Sequence, residues 1–230
     1  MKTAPTRCPR VLLALLAAAA AGAAAAQPVL DSACGNPFVN TYGPHDYRNA
    51  TQPVRHIVED YHFTPRVEQL ISGQSASVGS DLDYTLRAFP NHHRALVSMM
   101  NLGVRTKNPR PQGAQFSVEC YFQRAIAFRP DDLIVHMLYA RFLDGAKRRG
   151  DALREVDYVV SQAEDNPFTH YNTGLLYMEL GEPAKALAQA HKAMALGFTR
   201  TELKQQLQAA GKWVDPPAAP EAPASAASAP

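Results

Sequence analysis

Histidines and carboxylates gather near the front of the chain: His45-Asp46, then His56, Glu59, Asp60 and His62. Two to four such side chains converging on one point can hold a metal ion, and histidine is a common ligand. Their spacing matches no metal-ligand pattern such as HExxH. A metal-dependent enzyme using His45, His56 or His62 is therefore the rival reading. The preferred one is a cap in which these residues and Tyr42, Tyr47, Tyr61 and Phe63 cover the first helices. His92-His93 follows Pro90-Asn91 at a helix start, which is a capping context. Ser72, Ser75, Ser77 and Ser80 surround Gly73 and Gly79, but the sequence has neither a GxSxG elbow nor a phosphate-binding loop. They read as a linker between short helices. Lys147-Arg148-Arg149 lies near a helix end, where positive charge complements the helix dipole. Nothing in this set implies catalysis or a cofactor.

The elements that would position these residues begin after a leader. Lys2, Arg7 and Arg10 precede an apolar, alanine-rich run, and Ala24 and Ala26 form a small-residue cleavage pattern before Gln27. Residues 1–26 thus read as a secretory signal peptide. The strongly apolar part is shorter than the roughly 20 residues a membrane span needs. No later segment could span a membrane. The leader carries 3 of the 23 Lys+Arg and none of the 21 Asp+Glu, which leaves 20 − 21 = −1 for the mature chain. A nearly neutral protein lacks the concentrated basic surface that nucleic-acid binding requires. Cys8 leaves with the leader. Cys34 and Cys120 remain, and an even count in an oxidising compartment predicts one disulfide. Thiol-redox chemistry has no support, because no CxxC is present.

Residues 27–63 read as an irregular N-terminal cap segment, broken by Pro28, Gly35, Pro37, Gly43, Pro44 and Pro53, with weak strand patterning around His56 to Phe63. From Thr64-Pro65 to Trp213 the punctuation predicts short helices over 65–73, 80–88, 91–103, 116–128, 131–146, 151–164, 168–180, 183–196 and 200–210. Residues 214–230 form an Ala/Pro-rich tail, too poor in large apolar side chains to offset its ordering entropy, and are expected to be disordered.

The helical punctuation is periodic. With Gly174 at position 8 of a 34-residue helix-turn-helix unit, Tyr177 falls at 11, Gly181 at 15, Ala186 at 20, Ala190 at 24 and Ala193 at 27. Small residues at 8, 20 and 27 let two antiparallel helices approach closely. Ala140 and Leu143 repeat positions 8 and 11 one unit earlier, with a small insertion expected at Gly145 to Arg149. Phe122, Ala125 and Pro130 match the end of a further unit, whose loop near Lys107 to Gly113 is about six residues longer than standard. The stretch 167–197 resembles a tetratricopeptide repeat, and 91–166 resembles two degenerate copies. The run from Asp83 to Leu96 and Glu119-Cys120-Tyr121-Phe122 resemble exported tetratricopeptide-repeat proteins of Gram-negative bacteria that have no established activity. The expected fold is all-α: a helix-turn-helix solenoid spanning 64–213.

What the repeat resemblance implies is a concave groove lined by first-helix positions 2, 5, 6, 9, 12 and 13. These are Arg94, Val97, Ser98, Asn101, Val104 and Arg105 in the first unit. The middle unit offers Ile134, Met137, Leu138, Arg141, Asp144 and Gly145, and the last Phe168, Tyr171, Asn172, Leu175, Met178 and Glu179. Arg94, Arg105 and Arg141 could hold a partner's acidic segment or terminal carboxylate. Asn101 and Asn172 could bond a peptide backbone, and Met137, Met178, Tyr171 and Leu175 supply apolar surface. The implied function is that of a periplasmic or secreted adaptor binding a protein or peptide, in a process such as envelope assembly. A structural subunit of an envelope complex would look the same in sequence.

Overall fold

A computed structural model describes residues 30–216; the predicted leader and most of the predicted tail lie outside them. Among the described residues every regular element is helical. A 3-10 turn at Ser32–Cys34 precedes α1 (Gln52–His62), α2 (Pro65–Glu68), α3 (Val78–Ala88), α4 (His93–Thr106) and α5 (Val118–Phe128). Then come α6 (Leu133–Gly145), α7 (Arg149–Gln162), α8 (Pro167–Glu179), α9 (Pro183–Ala195) and α10 (Glu202–Ala209). All nine predicted helices are present. The first is reduced to one turn, because Leu70 adopts φ +59°.

Helix starts follow capping chemistry. The Ser77 and Ser117 hydroxyls accept from the Ser80 and Cys120 amides, and the Asn166 side-chain oxygen accepts from the Thr169 amide. His92 Nδ1 accepts from the Ala95 amide, which gives the predicted capping role to this histidine. The predicted irregular segment, however, contains a helix. Pro53 sits in the first turn of α1, where a missing N–H costs nothing, so it starts the helix rather than breaking one. The strand-like pattern at His56 to Phe63 is overruled by Val58, which α1 buries against Ala88 and Phe89 beside Tyr42, Tyr47 and Val54.

The spacing of elements is regular. α6 and α8 begin 34 residues apart (133 and 167), as do α7 and α9 (149 and 183). The predicted insertion after Gly145 is absent. Lys147 at φ +64° turns the chain where Gly181 does so at φ +65°, 34 residues later. α3 and α5 begin 40 residues apart (78 and 118), as do α4 and α6 (93 and 133), six more than the later interval, and both spans contain the long α4–α5 loop where the extra length is expected. A pair of histidines repeats at the same interval as the later helices. His136 Nδ1 lies 2.7 Å from Glu155 and its Nε2 3.1 Å from the Pro130 carbonyl. His170 makes the equivalent contacts to Gln189 and the Glu164 carbonyl, each at 2.7 Å. Each imidazole thus joins a hairpin's second helix to the loop that enters its first.

α6 packs along α7 and α8 along α9, while α4, α6, α8 and α10 touch in sequence as a row. Gly174 sets the tightness of the last hairpin. A β-carbon there would lie 2.3 Å from Leu203 of α10 and 3.4 Å from Gln189 of α9. Gly174→Val is expected to cost about 1–3 kcal/mol through overpacking. Adding Leu203→Ala should return part of that loss, and denaturant titration of the four-member cycle checks the coupling.

The front of the molecule is cross-braced. A Cys34–Cys120 disulfide ties the N-terminal segment to α5. Arg124 of α5 donates to the Cys34 carbonyl at 2.8 Å and lies over the Phe116 ring. Gly43, at φ +87°, lets the segment approach the C-terminus of α3. Its β-carbon would fall 2.5 Å from the Ala88 carbonyl oxygen, which accepts the His45 amide. Beyond it, Arg48 bonds Asp46 and Asp131, and Arg129 bonds both of those acids. Buried Asn91 donates to Asp46 and to buried Asp132, and His93 Nε2 lies 2.9 Å from the Asp132 carboxylate. Arg48 holds the Asp46 carboxyl well below the usual range. Burial alone would raise Asp132, but bonding to His93 and Asn91 and the Arg48 charge lower it on balance. Three of the four aromatic residues expected in the cap, Tyr42, Tyr47 and Phe63, pack inward; Tyr61 stays exposed.

Candidate functional site

Two clefts lie along the α4–α6–α8 row. The first, about 460 Å³, is walled by Asn101 and Val104 of α4, Val118 and Glu119 of α5, and Arg141 and Phe142 of α6. The second, about 140 Å³, lies between α6 and α8 and is lined by Ile134, Met137, Leu138, Arg141, Phe168, Asn172 and Leu176. Arg141 borders both. Val104, Ile134 and Phe168, one from each helix of the row, are large apolar side chains exposed at their rims.

The long α4–α5 loop is part of the first cleft, which register arguments confined to helices could not reveal. Lys107 at φ +52° closes α4, and Asn108 and Pro109 continue the wall. The Pro109 carbonyl accepts the Val118 amide, so the loop folds back onto the start of α5. Lys107 has no acidic partner among the described residues, nor has Arg105 two residues earlier. Glu119, the acid bordering this cleft, is already bonded by Arg148 and by the Tyr139 hydroxyl. Burial, reinforced by Glu119, pushes the Tyr139 phenol upward, so it stays a donor to that carboxylate. Between the clefts Arg141 spans to Glu179 of α8 through two bonds, Nη2 at 2.7 Å and Nε at 3.2 Å. Both side chains are about half exposed, at 49% and 48%.

The predicted groove residues divide accordingly. Asn101, Met137, Arg141 and Asn172 line the clefts, and Arg105 is exposed near the first. Asn172 spends its amide on the Phe168 carbonyl at 2.7 Å. Arg94 does not face an open groove. It is paired with Glu68 of α2 and lies over the Phe63 ring. Tyr171 is buried against Phe198, with its hydroxyl on Glu202, because α10 covers that side of α8. Leu175 and Met178 pack against the core instead of lining either cleft.

The histidines of the rival reading occupy three separate settings. His45 packs on Tyr42 and Phe89, His56 pairs with Asp60, and His62 stacks on Tyr84 while bonding Asp81. Among the described residues no three His, Cys, Asp or Glu side chains group so as to hold a metal ion. No helix among them is long and apolar enough to cross a membrane.

Comparison with known proteins finds no match. No protein family fits the chain, and no curated protein or solved structure is similar to it.

Proposed function

We propose that this chain is an exported scaffold or adaptor of the tetratricopeptide-repeat kind, which binds a protein or peptide along the face made by α4, α6 and α8. The observation that carries the reading is the meeting of two apolar clefts at one arginine on that face. The 34-residue spacing of α6 to α8 and α7 to α9 supports the repeat assignment. The Cys34–Cys120 disulfide supports an oxidising compartment outside the cytoplasm. That and the leader expected at residues 1–26 support a periplasmic or secreted location.

The test is a paired capture from envelope extract. Ile134→Asp with Phe168→Asp places charge on exposed apolar positions and should leave the fold intact. Lys192→Ala, a charge loss on α9 where Lys192 pairs with Asp165, is the control. A partner retained by wild type and control but weakened tenfold or more in the cleft variant, about 1.4 kcal/mol, is expected. A partner held equally by all three places binding elsewhere and refutes this groove.

A further inference from the structure

We propose that the bound segment carries an internal carboxylate side chain between two apolar side chains, and that this carboxylate engages Arg141 in competition with Glu179. The inference rests on the polypeptide-binding reading above and names the chemistry of the partner. A chain lying along the α4–α6–α8 row leaves the larger cleft for the smaller one at Arg141, the residue they share. Its apolar side chains have somewhere to go on either side of that point: the Val104 and Phe142 side of the first cleft, and the Ile134 and Phe168 side of the second. At the crossing itself the surface offers a guanidinium.

That guanidinium is available. Its bonds to Glu179 use Nε and Nη2, and both partners are about half exposed, so the pair is screened and readily exchanged. A carboxylate from the partner offers the same two oxygens to the same fork. The wider electrostatics select the sign. Lys107 borders the first cleft without an acidic partner among the described residues, and Glu119 there is already neutralised by Arg148. An acidic residue in the partner can take Arg141 from Glu179 and also meets the unpaired Lys107, whereas a lysine at the same place meets Lys107 and must draw Glu179 away from Arg141. A chain terminus is not required, because both clefts remain open to the row on either side of Arg141.

Synthetic peptides with acetylated and amidated ends test this, with two large apolar residues flanking a central Glu, Gln or Lys at spacers of one to three alanines. Fluorescence anisotropy is read against wild type, Arg141→Ala and Glu179→Gln, each confirmed folded by circular dichroism. The Glu peptides are expected to bind at least fivefold tighter than the Gln peptides, and the Lys peptides weakest. Glu179→Gln should tighten the Glu peptides about threefold and leave the Gln peptides unchanged. Arg141→Ala should erase the Glu preference while apolar binding persists. Equal binding of Glu and Gln peptides overturns the carboxylate inference but leaves the groove reading standing. A Glu179→Gln protein that binds Glu peptides more weakly would show that Glu179 positions Arg141 rather than competing for it, which also overturns the proposal. If none of the peptides binds wild type, the inference and the reading beneath it fall together.

Discussion

Replacing Cys34 and Cys120 together by serine is expected to lower the free energy of unfolding by about 4.5 kcal/mol, the chain-entropy value for a closed loop of this length. The two residues are separated by 86 positions, so the bridge removes a large set of open conformations from the unfolded chain. It also holds the Cys34 carbonyl over Arg124, a buried guanidinium whose Nε has no partner among the described residues. Once the segment leaves, that cation loses its one carbonyl contact as well. For a described chain of this size the loss corresponds to a fall in Tm of roughly 10–15 °C. Thermal unfolding with and without reductant gives the number directly. Limited proteolysis should show the first cuts in the segment before α1. A fall of under 1 kcal/mol, with no new cleavage there, would mean that the polar contacts alone hold the segment in place.

The second large effect belongs to Asp132. Its carboxylate is buried and satisfies His93 and Asn91, with Arg48 3.6 Å away. Asp132→Ala strands those groups and is expected to cost about 3 kcal/mol or more, the range for breaking a buried pair from one side. The exposed Lys192–Asp165 pair makes a control, and Asp165→Ala should leave stability almost unchanged. The same cluster sets a pH dependence. Asp46 and Asp132 have folded pKa values below their unfolded ones, so their contribution is present above about pH 4 and is lost as pH falls below it. His92 is lowered chiefly by its burial, despite the bond to Glu59. The unfolded chain therefore takes up that proton first, and stability begins to erode as pH drops below about 6.5. Unfolding free energy measured from pH 8 to 3 should decline in two stages. In Asp132→Ala the stage below pH 4 should be shallower. A flat profile over that range would falsify the assignment of the cluster as a stabilising clasp.

How much of this was legible in the residues depends on what each residue had to signal. Helix existence was readable because Pro65, Pro167, Pro183 and Gly181 punctuate the chain where helices begin or turn. α1 was hidden because Pro53 looks identical as a breaker and as a first-turn residue, and burial of Val58 decides between them. The turn at Lys147 was misread as an insertion because a lysine, not a glycine, adopts the left-handed conformation there. The cleft itself was half legible. Asn101, Met137, Arg141 and Asn172 do line the clefts, a placement that depends only on helical phase. Tyr171 is covered instead by Phe198 and α10, neighbours that helical phase does not encode, and Arg94 is paired with Glu68 of α2. Lys107, Asn108 and Pro109 carried no phase to read. One signal was present and unused: His136 with Glu155 and His170 with Gln189 recur at a 34-residue interval, as spacing of the two hairpins requires.

The bracing of the front of the molecule has a consequence for how the clefts breathe. The wall built from α4 and α5 belongs to the part locked by the disulfide and the Asp46–Asp132 cluster. The far wall of the second cleft, α8, is held by its neighbours α6, α7, α9 and α10, contacts that lie close in sequence. In arrays where each unit touches only the next, opening free energies fall toward the less tethered end. Amide exchange should therefore be slowest in α5 and faster through α8 to α10. The first cleft is thus bordered by the anchored half, whereas the second, between α6 and α8, has a yielding far side whose width can adjust without disturbing that half.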